Sequence, residues 1–373
     1  MTEKDIALFV DGKSFFPALI EEINKAEKSI FINMFIWRDD EIGNILARAL
    51  LDAMDRGVKL TVSKDRYGVV LELAEEGQSS FFHKRPTAIE KAKAGVLRRL
   101  YHHGKKRHPK TRDEALYRRF ISHENLFFDG ERFKADHSKY YIIDEKILFL
   151  GGINVEDKEN GADREGRVYQ DYMVGVYGEE NVRAFRTALV SFPDNDLSFF
   201  YGYNDNRDKT RFYMERLYLS VIEGAEKELH ITMAYFSPLK RFIKAILAAE
   251  ARGVRVTVLV PARANFQSDS NLKTVKRLLR SSHGGIRVYL SPKMVHTKLV
   301  RNEKMLSLGS TNITKKAFSQ LSELNLFSAS KDSPLIPALD AAMKENYALS
   351  KHVSDYKTIK YNPLKAFIEG FLV

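Results

Sequence analysis

Apolar residues fall at helical spacing from 15 to 28 (Phe16, Leu19, Ile20, Ile23, Ala26), and a continuous apolar run, Ser29-Ile-Phe-Ile-Asn-Met-Phe-Ile-Trp37, follows. The first pattern predicts an amphipathic helix and the second a buried strand. Glu41 to Asp55 returns to helical spacing and is closed by Gly57, a helix-terminating residue. Val58-Lys-Leu-Thr-Val62 reads as the next strand. Helix, strand, helix, strand is the order of a parallel sheet covered by helices, so the expected class is α/β.

The order recurs. Ala26-Glu-Lys28 matches Ala225-Glu-Lys227, Met34 matches Met233, and Arg56-Gly-Val-Lys-Leu-Thr-Val62 matches Arg252-Gly-Val-Arg-Val-Thr-Val258. Matches kept in order at equivalent places indicate an internal duplication. Two similar α/β lobes are expected, 1–195 and 205–373, with the linker among the turn residues Pro193–Asp196 or Tyr203–Arg207.

Each half ends in the same chemistry. His137-Ser-Lys139 with Asp144 is followed by Gly151-Gly-Ile-Asn154, and His296-Thr-Lys298 by Gly309-Ser-Thr-Asn312. In a strand, residues i and i+2 share a face, so each copy would set an imidazole beside an ammonium. A carboxamide follows 17 residues after the first His and 16 after the second. That set suits a phosphodiester. Imidazole attacks phosphorus or moves a proton, and Lys and Asn hold the non-bridging oxygens.

Composition narrows the partners. The 373 residues carry a net charge of +11 and no cysteine, which excludes disulfides, thiolate metal sites and cysteine nucleophiles. The histidines outside the two motifs have no ligand spacing, so no metal is expected. Almost all the excess charge lies in 84–119, where thirteen basic residues face Glu90, Asp113 and Glu114. That segment also accounts for the greater distance from Gly57 to His137 (80 residues) than from Gly253 to His296 (43). It reads as two amphipathic helices around a basic turn, Gly104 to Lys110. Arg98, Arg99, Lys105, Lys106, Arg107 and Lys110 are the candidate contacts to phosphate or to an anionic membrane. A solvated face is the plain alternative. No leader or membrane-spanning run is read in the sequence.

The H-x-K and G-x-x-N motifs, in two copies within a duplicated α/β frame and with the full H-x-K-x4-D in the first, resemble those of the phospholipase D superfamily. The likeness extends from about residue 12 to about 330. It implies two lobes of mixed or parallel sheets flanked by helices, related by a pseudo-two-fold axis, with the two motifs forming one active site and no cofactor. It implies His137 as nucleophile, His296 as general acid, and Lys139, Lys298, Asn154 and Asn312 as phosphate ligands. Asp171 and Glu323 match the family's acidic positions and are expected behind His137 and His296 respectively. The second copy lacks the aspartate: its place falls on Glu303 or Asn302.

Gly-Gly-Ile-Asn154 with Tyr169-Gln-Asp171, Ala234-Tyr-Phe-Ser-Pro238, and Val260-Pro-Ala-Arg with Ser268-Asp269 resemble cardiolipin-synthase-like members. The resemblance therefore implies phosphodiester transfer or hydrolysis on phospholipids, by a cytoplasmic enzyme peripheral to the inner face of the membrane, with an anionic bilayer as partner and no obligate protein partner. Asn312-Ile-Thr-Lys-Lys-Ala-Phe departs from that branch and reads more like the nucleases. A nucleic-acid phosphodiesterase is the alternative, and a catalytically dead binding scaffold a third reading.

Overall fold

The structure is a computed structural model that describes residues 5–75, 80–101, 113–161, 163, 166–192, 198–329 and 333–372. By their contacts, residues fall into two units. The first comprises 9–169 with 173–183; the second comprises 1–8, 170–172 and 184–373.

The sheet of the first unit holds three parallel strands, Leu126–Asp129, Lys59–Lys64 and Ser29–Met34. It continues antiparallel through Tyr140–Ile143, Ile147–Gly151 and Tyr172–Tyr177. The second unit repeats the order: Ile286–Ser291, Arg255–Pro261 and Glu228–Met233 are parallel, then Lys298–Asn302, Met305–Gly309 and Glu323–Ala329 run antiparallel. Phe199–Asn204 pairs beyond Glu323–Ala329, and Lys351–Val353 pairs beside Ile286–Ser291. Tyr203 and Asn204 therefore end a strand of this sheet. Identical strand order in both units carries the duplication from sequence into topology.

Each unit buries its own core. In the first, Phe15, Phe16, Leu19 and Ile23 of the helix Asp11–Lys25 pack with Leu46 and Leu50 of the helix Glu41–Asp55 and with Ile30, Ile32 and Val62. In the second, Tyr218 and Ile222 pack with Ile243, Ile246, Val256, Val258 and Leu278. The first helix starts at Asp11, four residues earlier than the periodicity predicts. The strand from Ser29 ends at Met34, because Phe35 to Trp37 leave the sheet: Trp37 bridges Val155, and its backbone N–H donates to Glu72 at 2.9 Å.

The basic segment forms the helices Ala88–Tyr101 and Glu114–Ile121. Glu90, Ala94, Leu97 and Tyr101 face inward on the first, whereas Ile89 and Val96 are exposed. Asp113 caps the second by accepting from the Leu116 N–H at 3.0 Å. The predicted turn Gly104–Lys110, with Lys105, Lys106, Arg107 and Lys110, lies outside the described residues. The C-terminal helix Pro363–Leu372 packs on the helix Ser268–Ser281. Buried Glu369 accepts from the Ser270 N–H at 2.7 Å, and Ser270 Oγ donates to the Ala366 carbonyl at 3.0 Å, which leaves Leu364 and Phe367 exposed.

Asp144 is not part of the chemistry. Its carboxylate accepts from the backbone N–H groups of Glu27, Lys28 and Ser29, each at 2.8 Å, where the chain enters the first strand. Glu303 does the same in the second unit, accepting from Glu226, Lys227 and Glu228 at 2.9 to 3.2 Å. The position the sequence leaves open between Asn302 and Glu303 is thus filled by Glu303, whose extra methylene reaches the same turn. Asn302 instead donates to the Val221 carbonyl at 2.7 Å. Burial raises the Asp144 carboxyl, but the three N–H groups together outweigh it and hold it below the ordinary carboxylate range. A carboxyl depressed on folding adds stability above its unfolded value near 3.8, and that stability disappears as pH falls through the folded value. Asp144→Ala is expected to cost about 2 kcal/mol in urea unfolding at pH 7, and less at pH 2. An equal loss at both pH values would rule out the charged acceptor as the cause.

Candidate active site

In the first unit, His137 and Lys139 do not lie within a strand. They are the extended residues that lead into Tyr140–Ile143. What brings them together is a turn-back of the lysine, whose Nζ donates to the His137 carbonyl. Ser138 and Lys139 are fully buried and His137 is half-buried. The Phe35 ring stands edge-on to the His137 imidazole, with centroids 4.8 Å apart, and lies 5.3 Å from Lys139 Nζ. The ammonium is thus held against an aromatic face instead of water.

The loop ahead of His137 hangs from one carboxylate. Asp65, just past the end of the parallel strand Lys59–Lys64, accepts from the backbone N–H of Tyr67, Lys134 and Asp136 at 2.8 to 3.0 Å. Burial pushes this carboxyl up, against those donors and nearby Lys64. Asp136 in turn accepts from the Ser138 N–H at 3.0 Å, while Asn33 donates to the Ser138 carbonyl at 3.0 Å. Sequence reasoning misses Asp65, although its place at the carboxyl end of a parallel strand is where α/β sheets collect their sites.

Asn154 follows the strand Ile147–Gly151, whose Gly151 N–H donates to the Lys139 carbonyl at 3.2 Å. Its position is fixed by the residues after it. Val155 bonds Ile36 and Arg38 through the backbone, and Glu156 binds buried Arg38 at 2.5 Å. Lys158 joins Glu156 at 3.3 Å and also contacts Glu75. A buried set of matched charges of this kind is costly to disrupt by halves, because removing one member leaves another unpaired.

The second unit reproduces the arrangement. Lys298 Nζ donates to the His296 carbonyl, and the Tyr235 ring stands edge-on to His296 at 6.0 Å. Asn312 Oδ1 accepts from the Tyr235 N–H at 3.2 Å, which turns the amide NH2 to donate elsewhere. His296 Nδ1 lies 2.9 Å from Asp171 Oδ2, and Lys298 Nζ is 3.4 Å from the same oxygen. The other oxygen of Asp171 accepts from the Tyr172 N–H at 2.8 Å.

This corrects the expected pairing. Asp171 is the partner of His296, not of His137. The segment 170–172 belongs by its contacts to the second unit, where the His296 N–H donates to the Gln170 carbonyl at 2.7 Å. Glu323, expected behind His296, is wholly buried and accepts from the Ser310 hydroxyl. Ser310 Oγ in turn accepts from the Leu324 N–H at 3.0 Å. Ser310 thus fixes an acid that Gly152, its counterpart in the first copy, could not. Arg98 and Arg99 are on the exposed basic helix, with Arg98 donating to the Leu73 carbonyl.

A carboxylate on Nδ1 sets the tautomer and supports the imidazolium, leaving Nε2 for proton transfer. With an ammonium and a carboxamide donor alongside, each half-site supplies what a phosphoryl group needs: a nitrogen base or nucleophile and neutralisation of oxygen charge.

Comparison with known proteins agrees with this chemistry. The family profile "Cardiolipin synthase, PLD-like domain" matches residues 19–182 and 218–345. Cardiolipin synthase B of Salmonella typhi is 29% identical over 348 residues, covering 86% of this chain and 75% of that protein. Cardiolipin synthase B of Escherichia coli K12 is 28% identical over the same shares. Among solved structures, phosphatidylserine synthase from Haemophilus influenzae Rd KW20 superposes with a TM-score of 0.68 at 12% identity, covering 99% of this chain and 92% of its own. The profile spans well over half of the chain, so the protein belongs to the phospholipase D superfamily of phosphodiester-transfer enzymes, in its cardiolipin synthase, PLD-like domain family.

Proposed function

We propose that the protein transfers or hydrolyses the phosphodiester of phospholipids through a phosphohistidine, at a membrane surface and without a metal. The observation that carries the reading is the duplicated His/Lys/Asn set, with Asp171 on His296, in a chain matched across both halves by a cardiolipin synthase family. His137 attacks phosphorus, the bond from phosphorus to the leaving alcohol breaks, and His296 gives that alkoxide a proton. An incoming alcohol then passes its proton to His296 as its oxygen attacks phosphorus, releasing His137. With water as acceptor the outcome is hydrolysis. Lys139, Lys298, Asn154 and Asn312 hold the non-bridging oxygens.

The cardiolipin and phosphatidylserine synthases among its relatives favour a lipid substrate and an anionic bilayer as partner. The helix Ala88–Tyr101 fits such a surface. Ile89 and Val96, 66% and 61% exposed, lie on an outward face that also carries Lys93, with Arg99 at its margin. No helix among the described residues is long and apolar enough to cross a membrane, which fits peripheral attachment. The basic block also fits a nucleic acid, the second reading.

The decisive assay uses phosphatidylglycerol vesicles and, separately, single- and double-stranded DNA, all in EDTA with products identified. Cardiolipin or phosphatidic acid formation with intact DNA is the expected result. Cleaved DNA with unchanged vesicles would replace this reading by the second.

A further inference from the structure

Beside each half-site the two units share a device whose residues lie outside the His/Lys and Gly/Asn motifs. The chain leaves its parallel strand after Met34, and Trp37 pairs in parallel with Val155, the residue that follows Asn154. It leaves the equivalent strand after Met233, and Phe236 pairs in parallel with Ile313, the residue that follows Asn312. Trp37 and Phe236 stand 199 residues apart, the offset that relates Met34 to Met233.

In both copies one side chain captures the backbone N–H of that residue. Glu72 Oε1 accepts from Trp37 at 2.9 Å, and Asn271 Oδ1 accepts from Phe236 at 2.7 Å. Glu72 and Asn271 are themselves 199 residues apart. Each stands on the helix that follows the next parallel strand, Gly68–Ala74 in one unit and Ser268–Ser281 in the other, and each is wholly buried.

What differs is how the acceptor is supported. Glu72 is an acid, and Lys64 Nζ lies 3.0 Å from the same oxygen, with both side chains fully buried. By register Lys64 corresponds to Val260, since Lys59 and Arg255 sit opposite Ser29 and Glu228. The second copy thus has Val260 and Asn271 in place of both members of a buried ion pair, and keeps the hydrogen bond. Joint replacement avoids the cost of a buried charge left without its partner. The amide also uses its other end, Nδ2 donating to the Ala234 carbonyl at 2.8 Å. The element common to both copies is the acceptor, not the charge.

The captured segments carry the groups that touch the half-sites. Phe35 supplies the ring 4.8 Å from His137, and Tyr235 the ring 6.0 Å from His296 and the N–H on Asn312 Oδ1. The helix Gly68–Ala74 closes on the first segment, where a Cβ on Gly68 would overlap the Phe35 carbonyl oxygen. We propose that Glu72 and Asn271 are equivalent positioning residues for the reaction. Through one backbone N–H, each fixes the aromatic residue beside its histidine and the residue after its phosphate-binding asparagine. The assignment rests on the roles given above to the two histidines and two asparagines, and acts through the segment instead of on the substrate.

The test compares two neutral double variants of like shape in the full chain. Lys64→Met with Glu72→Gln keeps an acceptor for the Trp37 N–H, and Lys64→Met with Glu72→Met does not. The substrate is bis(p-nitrophenyl) phosphate, a phosphodiester that favours neither lipid nor nucleic acid. Enzyme is in excess, so the single-turnover rate constant reports folded protein alone. The Gln double is expected within about threefold of wild type and the Met double slower by about tenfold or more, with a like loss in Asn271→Leu. A merely structural role would lower the amount of active enzyme and leave the rate constant unchanged, so equal rate constants in the two doubles would overturn the assignment. The His137 ring resonances of histidine-labelled protein give a readout that needs no turnover. They should keep their wild-type positions in the Gln double and move in the Met double, as the Phe35 ring shifts beside them; resonances that stay put in both would likewise overturn it. Turnover that survives His137→Asn would discard the phosphohistidine, while displaced resonances in the Met double would keep the placement by Glu72.

Discussion

His137→Asn is expected to lower kcat by roughly 10⁴-fold or more, because it removes the atom that bonds to phosphorus. His296→Asn should cost as much on a natural phospholipid, whose alkoxide leaves poorly without a proton. The two variants part on a substrate with a p-nitrophenolate leaving group, which departs without acid assistance. His296→Asn should then release about one equivalent of nitrophenol in a burst and stall as the phosphohistidine, since the proton acceptor for the second step is missing. His137→Asn should show no burst. The opposite pattern would exchange the roles of the two histidines. Bursts from neither variant, with wild-type turnover intact, would remove the covalent intermediate.

Asp171→Asn is expected to have the second largest effect, and to act on stability and turnover together. Its carboxylate is the anion beside both His296 and fully buried Lys298, at 2.9 and 3.4 Å. Taking the charge away breaks a buried ion pair from one side, which costs about 3–5 kcal/mol where burial is complete. The variant should therefore unfold at markedly lower urea concentration. Its kcat should fall by about 10²–10⁴-fold, the usual contribution of a positioned proton donor. Lys298→Met combined with Asp171→Asn should recover part of the stability, because a neutral pair replaces a half-emptied one, and recover none of the activity. A double variant no more stable than Asp171→Asn alone would mean that the Asp171 charge is not what makes Lys298 tolerable in the core.

Much of this was readable in the chain. Alternating helical and strand periodicities place the α/β units, and the paired Arg-Gly-Val strands announce the duplication that the two sheets repeat over six successive strands. The His, Lys and Asn positions follow from their spacing. The acid attached to His296 does not. Sequence order puts Asp171 with the first motif, and only the packing of 170–172 on the second unit shows otherwise. Glu303 escapes for a different reason: a motif written as aspartate does not state that its task is to accept three backbone N–H groups, which a longer acid performs as well. Asp65 and His83 carry no local pattern. Asp65 is placed by the end of a parallel strand, and His83 is tied to a carbonyl 47 residues away.

The placement of 170–172 also bears on how such a chain could have arisen. A half-length ancestor ending before the second copy would hold Asp171 but not the histidine it now serves, and the later half alone would hold His296 without that acid. Neither fragment holds both members of the Asp171–His296 contact. That contact needs residues from both copies of the duplication, and the copies differ elsewhere too, Ser310 standing where the first copy has Gly152.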